Sequence, residues 1–167
     1  TTPDVVGVHH LLHELRQDGF ETVCIEASSI GLEQRRLACV SIDVALFTNL
    51  SQDHLDYHGD MAAYGRSKMI LASWPTLRLA VVNADDSFGM EFLANVQRRN
   101  IDCSAVGRAD SAECQILSVA HQENGQRIEL KINGASIQID TPIIGEFNAD
   151  NMALVFATLV RLGYDAR

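Results

Sequence analysis

Leu79-Ala80-Val81-Val82-Asn83 carries no polar side chain before its last position, a pattern that suits a β-strand covered on both faces, as strands of parallel sheets are. Val44-Ala45-Leu46-Phe47-Thr48 repeats the style, as does Thr22-Val23-Cys24-Ile25-Glu26-Ala27, and residues 101–106 read as a fourth strand. Between these runs, 61–73 and 86–98 have helical character, the second opened by Asp85-Asp86. Upstream, Val5, Val8, Leu12 and Leu15 recur at helical spacing, with Asp4 placed to cap the start and Gly19 to end it. Strand and helix alternating in this rhythm predict an α/β layer with parallel strands.

After Gly107 the pattern changes. Residues 114–120, 126–132 and 135–140 are strand-like runs separated by Asn124-Gly125 and Asn133-Gly134, and Asn-Gly is a strong hairpin signal because both central positions of a type I′ turn need positive φ. A last helix is expected from about Asn148 to Leu162, stopped by Gly163. The fold class is therefore α/β: a mostly parallel sheet flanked by helices, with a small antiparallel meander over about 114–140, in a single domain spanning 1–167.

With 167 residues, 47% hydrophobic and 21% charged, the chain should bury about 70% of the surface its unfolded form exposes, so a core forms without covalent staples. The net charge of −9 repels a phosphate backbone or an anionic membrane, so nucleic acid is not an expected partner. No apolar run spans a bilayer and Thr1-Thr2-Pro3-Asp4 has no signal-peptide character, so a cytoplasmic protein is expected. Cys24, Cys39, Cys103 and Cys114 form no C-x-x-C pair and read as buried, reduced thiols. Lys68 and Lys131 are the two lysines, and neither follows a glycine, so these residues contain no G-x-x-x-x-G-K-[ST] phosphate loop.

Ligands of open α/β sheets gather at the carboxyl ends of the strands. Three such ends are polar here: Glu26-Ala27-Ser28-Ser29-Ile30-Gly31, Thr48 to His58, and Asn83-Ala84-Asp85-Asp86. Carboxylates with an occasional imidazole suit a hard divalent cation, while Asp85-Asp86 reads first as a helix cap. A glutamate ending an apolar strand is expected to be partly desolvated and to need a partner or a metal. Asp53-His54-Leu55-Asp56-Tyr57-His58 is dense in ligand types, with a solvated loop as the rival reading. His9 and His13 share a helix face but have no acidic ligand beside them. Lys68 lies at the spacing of Met61, Tyr64 and Leu71, an amine within an inward-facing stripe. Its stem either packs while the ammonium reaches water, or partial burial makes it reactive toward carbon dioxide or a carbonyl.

Glu26 to Arg36, Phe47 to Gly59 with its Asp-His-Leu-Asp-Tyr-His-Gly core, Lys68, Asn83-Ala84-Asp85-Asp86 and Gly145-Glu146-Phe147-Asn148-x-x-Asn151, taken together and in this order, resemble the central domain of the Mur ligases, most closely the MurE type. The resemblance implies an ATP-dependent ligase that adds the third residue, a diamino acid, to UDP-N-acetylmuramoyl-L-alanyl-D-glutamate through an acyl phosphate in peptidoglycan synthesis. It implies that Glu26 holds the magnesium on the ATP phosphates, and that His54 and a carbamylated Lys68 hold a second Mg2+. By the same resemblance Thr1, Thr2, Ser28, Gln34 and Arg36 grip the UDP-muramoyl dipeptide, Asn148 contacts the adenine of ATP, and Lys68 is the catalytic residue. Ile30 departs from the resemblance, standing where the MurE type often has histidine.

Members of that family also carry an amino-terminal uridine-binding domain, a phosphate loop, and a carboxyl-terminal domain that selects the amino acid, and these 167 residues are expected to lack all three and to be inactive alone, with Lys68 unmodified. If 22–27, 44–48 and 79–83 are parallel neighbours, Glu26, His54 and Lys68 should come within roughly 10 Å of one another, the reach of a hydrated magnesium site. An uncovered sheet edge is expected to be closed by a second copy of the chain or by a rearranged segment. Two rival readings remain from the residues themselves: a silent α/β module that binds a uridine-linked sugar or a partner protein, and a phosphoesterase using Asp53, His54, Asp56 and His58.

Overall fold

The computed structural model describes residues 2–165. It divides into two compact units, one taking in the chain up to Ile42 together with Ser51–Thr76, the other Asp43–Leu50 together with the chain from Leu77 on.

The second unit is built on one six-stranded sheet in the order β1-β2-β3-β4-β5-β6. Its strands are β1 (Val44–Phe47), β2 (Leu79–Asn83), β3 (Asp102–Gly107), β4 (Cys114–Gln122), β5 (Gly125–Ile132) and β6 (Ala135–Thr141). The first three are parallel, with Val44 opposite Leu79 and Ala80 opposite Cys103. β4 joins β3 in parallel at Val106 and Gly107, and the Asn-Gly turns then fold β5 and β6 back antiparallel. The meander is thus a continuation of the main sheet.

All of β2 is buried, which explains its unbroken apolar run. On one face Leu79 and Val81 meet Ala149, Ala153, Leu154 and Ala157 of a helix over Glu146–Arg161. On the other, Phe47 meets Phe92 of a helix over Ser87–Arg98, ring centroids 5.2 Å apart. Asp86 caps this second helix by accepting from the Gly89 amide at 2.9 Å, the capping role open to it in the sequence.

The first unit is helical: α1 (Val5–Gln17), α2 (Ser29–Glu33), the single turn α3 (Leu55–His58) and α4 (Met61–Met69), followed by a 3-10 turn over Ile70–Ser73. The helices already met are α5 (Ser87–Arg98) and α6 (Glu146–Arg161). Asp4 and Asp60 cap α1 and α4, accepting from Gly7 at 2.8 Å and Ala63 at 2.7 Å. Val8, Leu32 and Leu37 form the core of this unit, flanked by Leu12, Ile25, Ala27, Leu71 and Trp74.

The expected strand over 22–27 is not formed. Strand-forming side chains make a strand only where a neighbour takes up their backbone groups, and among the described residues no ladder includes this run. Thr22, Val23, Cys24 and Glu26 are exposed, while Ile25 and Ala27 turn inward onto the small core. Among the described residues no helix is long and apolar enough to cross a membrane. Two of the four thiols also depart from expectation: Cys24 and Cys39 are exposed, and all four are free.

Candidate functional site

Four of the five residues expected to grip the UDP-linked substrate lie in one hydrogen-bonded network. Thr2, 2% exposed, donates its hydroxyl to the Glu26 carbonyl at 2.7 Å and accepts the Ser28 amide at 3.0 Å. Its carbonyl accepts from Arg36 Nη1 at 2.7 Å. The same guanidinium closes on Gln34 Oε1 through Nε at 3.0 Å and Nη2 at 2.7 Å. Gln34 Nε2 then donates to the Tyr57 hydroxyl at 3.1 Å. Ser28 caps α2, accepting from the Gly31 amide at 3.1 Å. Gly31 is required here because a Cβ would meet the Thr2 Cβ at 2.8 Å and the Ser28 Oγ at 2.9 Å. Among the described residues no carboxylate pairs with Arg36, so its charge remains available to an anion. Thr1 lies outside the described residues.

A second group surrounds Tyr64, which is 5% exposed. Lys68 Nζ lies over its ring, 5.3 Å from the centroid. The His54 ring meets it edge-on at 6.2 Å, and the His58 ring stacks on it at 5.2 Å. The stripe of Tyr64 and Lys68, four apart on α4, accounts for the amine within the inward face. Burial, and then the negative charge of Asp53, push the Tyr64 phenol above its ordinary value, so the ring is neutral at physiological pH. His54 adopts φ 53° at the head of α3, which turns its side chain outward beside Asp53, Nε2 to Oδ2 being 3.5 Å.

The geometric basis expected for Glu26 is overturned. Because 22–27 is no strand, Glu26 does not stand at a strand end, and its side chain is exposed rather than partly desolvated. Its backbone is held instead by Thr2. From there a chain of contacts runs through Ser28 to the adjacent Ser29, whose Oγ is 2.9 Å from His58 Nε2, and on to Tyr64. Among the described residues no three of His, Cys, Asp and Glu gather closely enough to hold a metal. Magnesium, however, commonly takes one or two protein oxygens and completes its shell with phosphate and water, and of the expected donors His54 and Lys68 are brought together at the Tyr64 ring.

Asn148 belongs to the other unit, in the first turn of α6, where its Nδ2 donates to the Ile144 carbonyl at 2.7 Å. That turn is braced by a residue the sequence did not single out. Gln126, fully buried on β5, accepts the Gly145 amide at 3.1 Å and donates to the Gly145 carbonyl at 3.3 Å. A buried glutamine in an alternating strand carries no signal of a partner that lies beyond the next strand. Arg108, just after β3, pairs with Asp85, just after β2, at 2.8 Å and with Asp150 on α6 at 2.8 Å. His9 is used by the Ala38 carbonyl, 2.8 Å from Nε2.

The Mur ligase middle domain model matches residues 1–159 of the chain. The chain belongs to this family. A UDP-N-acetylmuramoyl-L-alanyl-D-glutamate--2,6-diaminopimelate ligase of Xanthomonas oryzae pv. oryzae is 44% identical over 162 residues, covering 95% of this chain and 32% of that protein. One of the same description from Janthinobacterium sp. is 37% identical over 170 residues, covering 98% and 34%. A solved structure described as a ligase of this kind superposes with a TM-score of 0.92 at 30% identity, over 99% of this chain and 34% of its own. MurF ligase from Thermotoga maritima, in complex with ADP, shares the fold with a TM-score of 0.66 at 18% identity, over 80% of this chain and 31% of its own. The chain thus spans about a third of the length of the curated relatives it matches.

Proposed function

We propose that this Mur ligase middle domain serves an ATP-dependent, cytoplasmic ligase that joins 2,6-diaminopimelate to UDP-N-acetylmuramoyl-L-alanyl-D-glutamate. The single observation that carries the reading is the network of Thr2, Ser28, Gln34 and Arg36. It presents a guanidinium with no carboxylate partner among the described residues on a rigid frame, as an anionic, diphosphate-linked substrate requires. The names of the relatives supply the amino acid.

In this reading Thr2 acts on the frame, its hydroxyl being spent on the backbone of Glu26 and Ser28. Arg36 and Gln34 face the substrate, and Asn148 orients the adenine from the first turn of α6. Glu26, His54 and Lys68 are the donors we assign to magnesium, Lys68 once its amine has been carboxylated, since an ammonium repels a cation and a carbamate oxygen attracts one. When bound, the ion supplies positive charge against the phosphoryl and acyl oxygens. These 167 residues hold no phosphate loop, and we expect them alone to turn over no ATP. β1 pairs on one side only among the described strands, and we expect the isolated chain to cover that edge with a second copy, which light scattering measures.

Product formation decides the reading. The full-length ligase, given ATP, Mg2+, the UDP-muramoyl dipeptide and 2,6-diaminopimelate, should form the UDP-muramoyl tripeptide. No product with that set of substrates sinks it.

A further inference from the structure

The segment Asp53-His54-Leu55-Asp56-Tyr57-His58 offers two imidazoles, and the structure treats them oppositely. The His54 side chain is 42% exposed, whereas that of His58 is 1% exposed. Both nitrogens of His58 are engaged. Nδ1 lies 3.1 Å from Glu33 Oε2, and an ionised carboxylate only accepts, so Nδ1 carries a hydrogen. Nε2 lies 2.9 Å from Ser29 Oγ, which donates to it when the ring is neutral. Ser67 completes the group by donating to the same Glu33 oxygen at 2.8 Å.

Serine, histidine and glutamate in this order look like a nucleophile relay, but Ser29 is 2% exposed and heads a helix inside the small core. A hydroxyl sealed from solvent attacks no substrate. What the arrangement does is mechanical. Ser29 and Glu33 belong to α2, His58 to α3, Tyr64 and Ser67 to α4. A ring held at both nitrogens cannot rotate, and its face is laid on Tyr64 at a centroid distance of 5.2 Å with 25° between the planes. Tyr64 in turn has the His54 ring at its edge and Lys68 Nζ over its face.

We propose that His58 is a positioning residue for the Lys68 and His54 site: by clamping the Tyr64 ring it sets where the Lys68 amine and the His54 imidazole stand. The inference rests on the reading above, in which those two groups hold magnesium. His58 touches neither substrate nor ion and acts through Tyr64. Supports of this kind commonly alter the affinity of the site they hold by about ten- to a hundredfold when removed, because a displacement of about 1 Å takes donors out of alignment.

The test follows carboxylation of Lys68 in the full-length ligase, by the 13C signal of the lysine carbamate during titration with 13C-bicarbonate at fixed Mg2+. His58→Ala is expected to raise the half-saturating bicarbonate by about tenfold. Tyr64→Ala should act similarly, and the double variant should be no worse than the poorer single, since both act through one ring. His58→Phe keeps the stack and loses both nitrogen bonds. It is expected to return the half-saturation to within about threefold of the parent even though its melting temperature falls, which a merely structural role does not allow. Should His58→Ala not fold, His58→Leu replaces it. Half-saturation that follows melting temperature across the variants, additive singles, or an unmoved His58→Ala overturns the proposal alone. A parent ligase that takes up no label at Lys68 overturns it together with the metal reading.

Discussion

The His58 imidazole lies on the Tyr64 phenol ring with centroids 5.2 Å apart, and this contact joins the two halves of the candidate site. On the His58 side are Ser29 and Glu33 of the helix that Ser28 caps. On the Tyr64 side are His54 and Lys68. The residues we assign to the substrate and the lysine are thereby built on one small helical core.

Arg36→Lys tests the grip. The guanidinium makes three hydrogen bonds in a fixed fork, two to Gln34 and one to the Thr2 carbonyl. An ammonium keeps the charge and loses the fork. The KM for the UDP-muramoyl dipeptide in the full-length ligase should rise about tenfold or more, equivalent to about 1.4 kcal/mol, while KM for ATP stays within about twofold. Equal increases in both would contradict a substrate-specific role.

Gly31→Ala tests the frame beneath it. The new methyl would stand 2.8 Å from the Thr2 Cβ and 2.9 Å from the Ser28 Oγ, closer than atoms pack, and Thr2 is buried with nowhere to move. Overpacking of this kind costs about 1 to 3 kcal/mol. Urea denaturation of the isolated chain should show that loss, and a variant as stable as the parent would mean that α2 is free to shift.

Much of this was legible in the sequence. The unbroken run at Leu79–Asn83 announced a strand buried on both faces, and the two Asn-Gly pairs announced the meander, because local chemistry dictates those elements. The run at 22–27 misled because its composition is that of a strand while strandhood depends on a neighbour, a fact that lies outside the run. Lys68 stood out by its spacing to Tyr64. The roles of Ser29, Glu33 and Ser67 did not, since their meeting at His58 depends on three helices folding together and leaves no local pattern. Nor do residue types alone specify that His54 is exposed and His58 buried, or that the backbone at His54 is left-handed.

Alkaline pH should destabilise the second unit through Cys114. This thiol is fully buried between β3 and β5, and burial pushes it up to about 11 from an ordinary value of 9.0. The folded state therefore holds the proton over a range in which the unfolded state releases it. Stability from this group is fully present below about pH 9 and is lost as pH rises toward about 11. The rise from 9.0 to about 11 corresponds to at most about 2.7 kcal/mol of stability. Urea midpoints measured from about pH 8 to about pH 10.5, a range that brackets the ordinary thiol value, should fall more steeply for the parent than for Cys114→Ala. Parallel pH profiles would show that the thiol does not titrate with unfolding.

Gln126→Leu tests the turn that presents Asn148. Gln126 is fully buried, and its side-chain amide forms a reciprocal pair with the backbone of Gly145. Leucine fills a similar volume, so packing is largely kept and the hydrogen bonds are lost. The Gly145 carbonyl retains the amides of Asn148 and Ala149 as partners, each at 3.1 Å, so the unmet group is the Gly145 amide. Leaving this part-buried donor unpaired costs at most about 1 to 3 kcal/mol, and Gly145 at φ 108° is a position where loss of a brace lets the chain relax toward common backbone angles. Relaxation there moves the first turn of α6 and with it Asn148. Two readings should therefore change together: the urea midpoint of the isolated chain falls, and KM for ATP in the full-length ligase rises several-fold with KM for the UDP-muramoyl dipeptide unchanged. A stability loss without any change in KM for ATP would separate the Gly145 turn from nucleotide recognition and return Gln126 to a purely structural role.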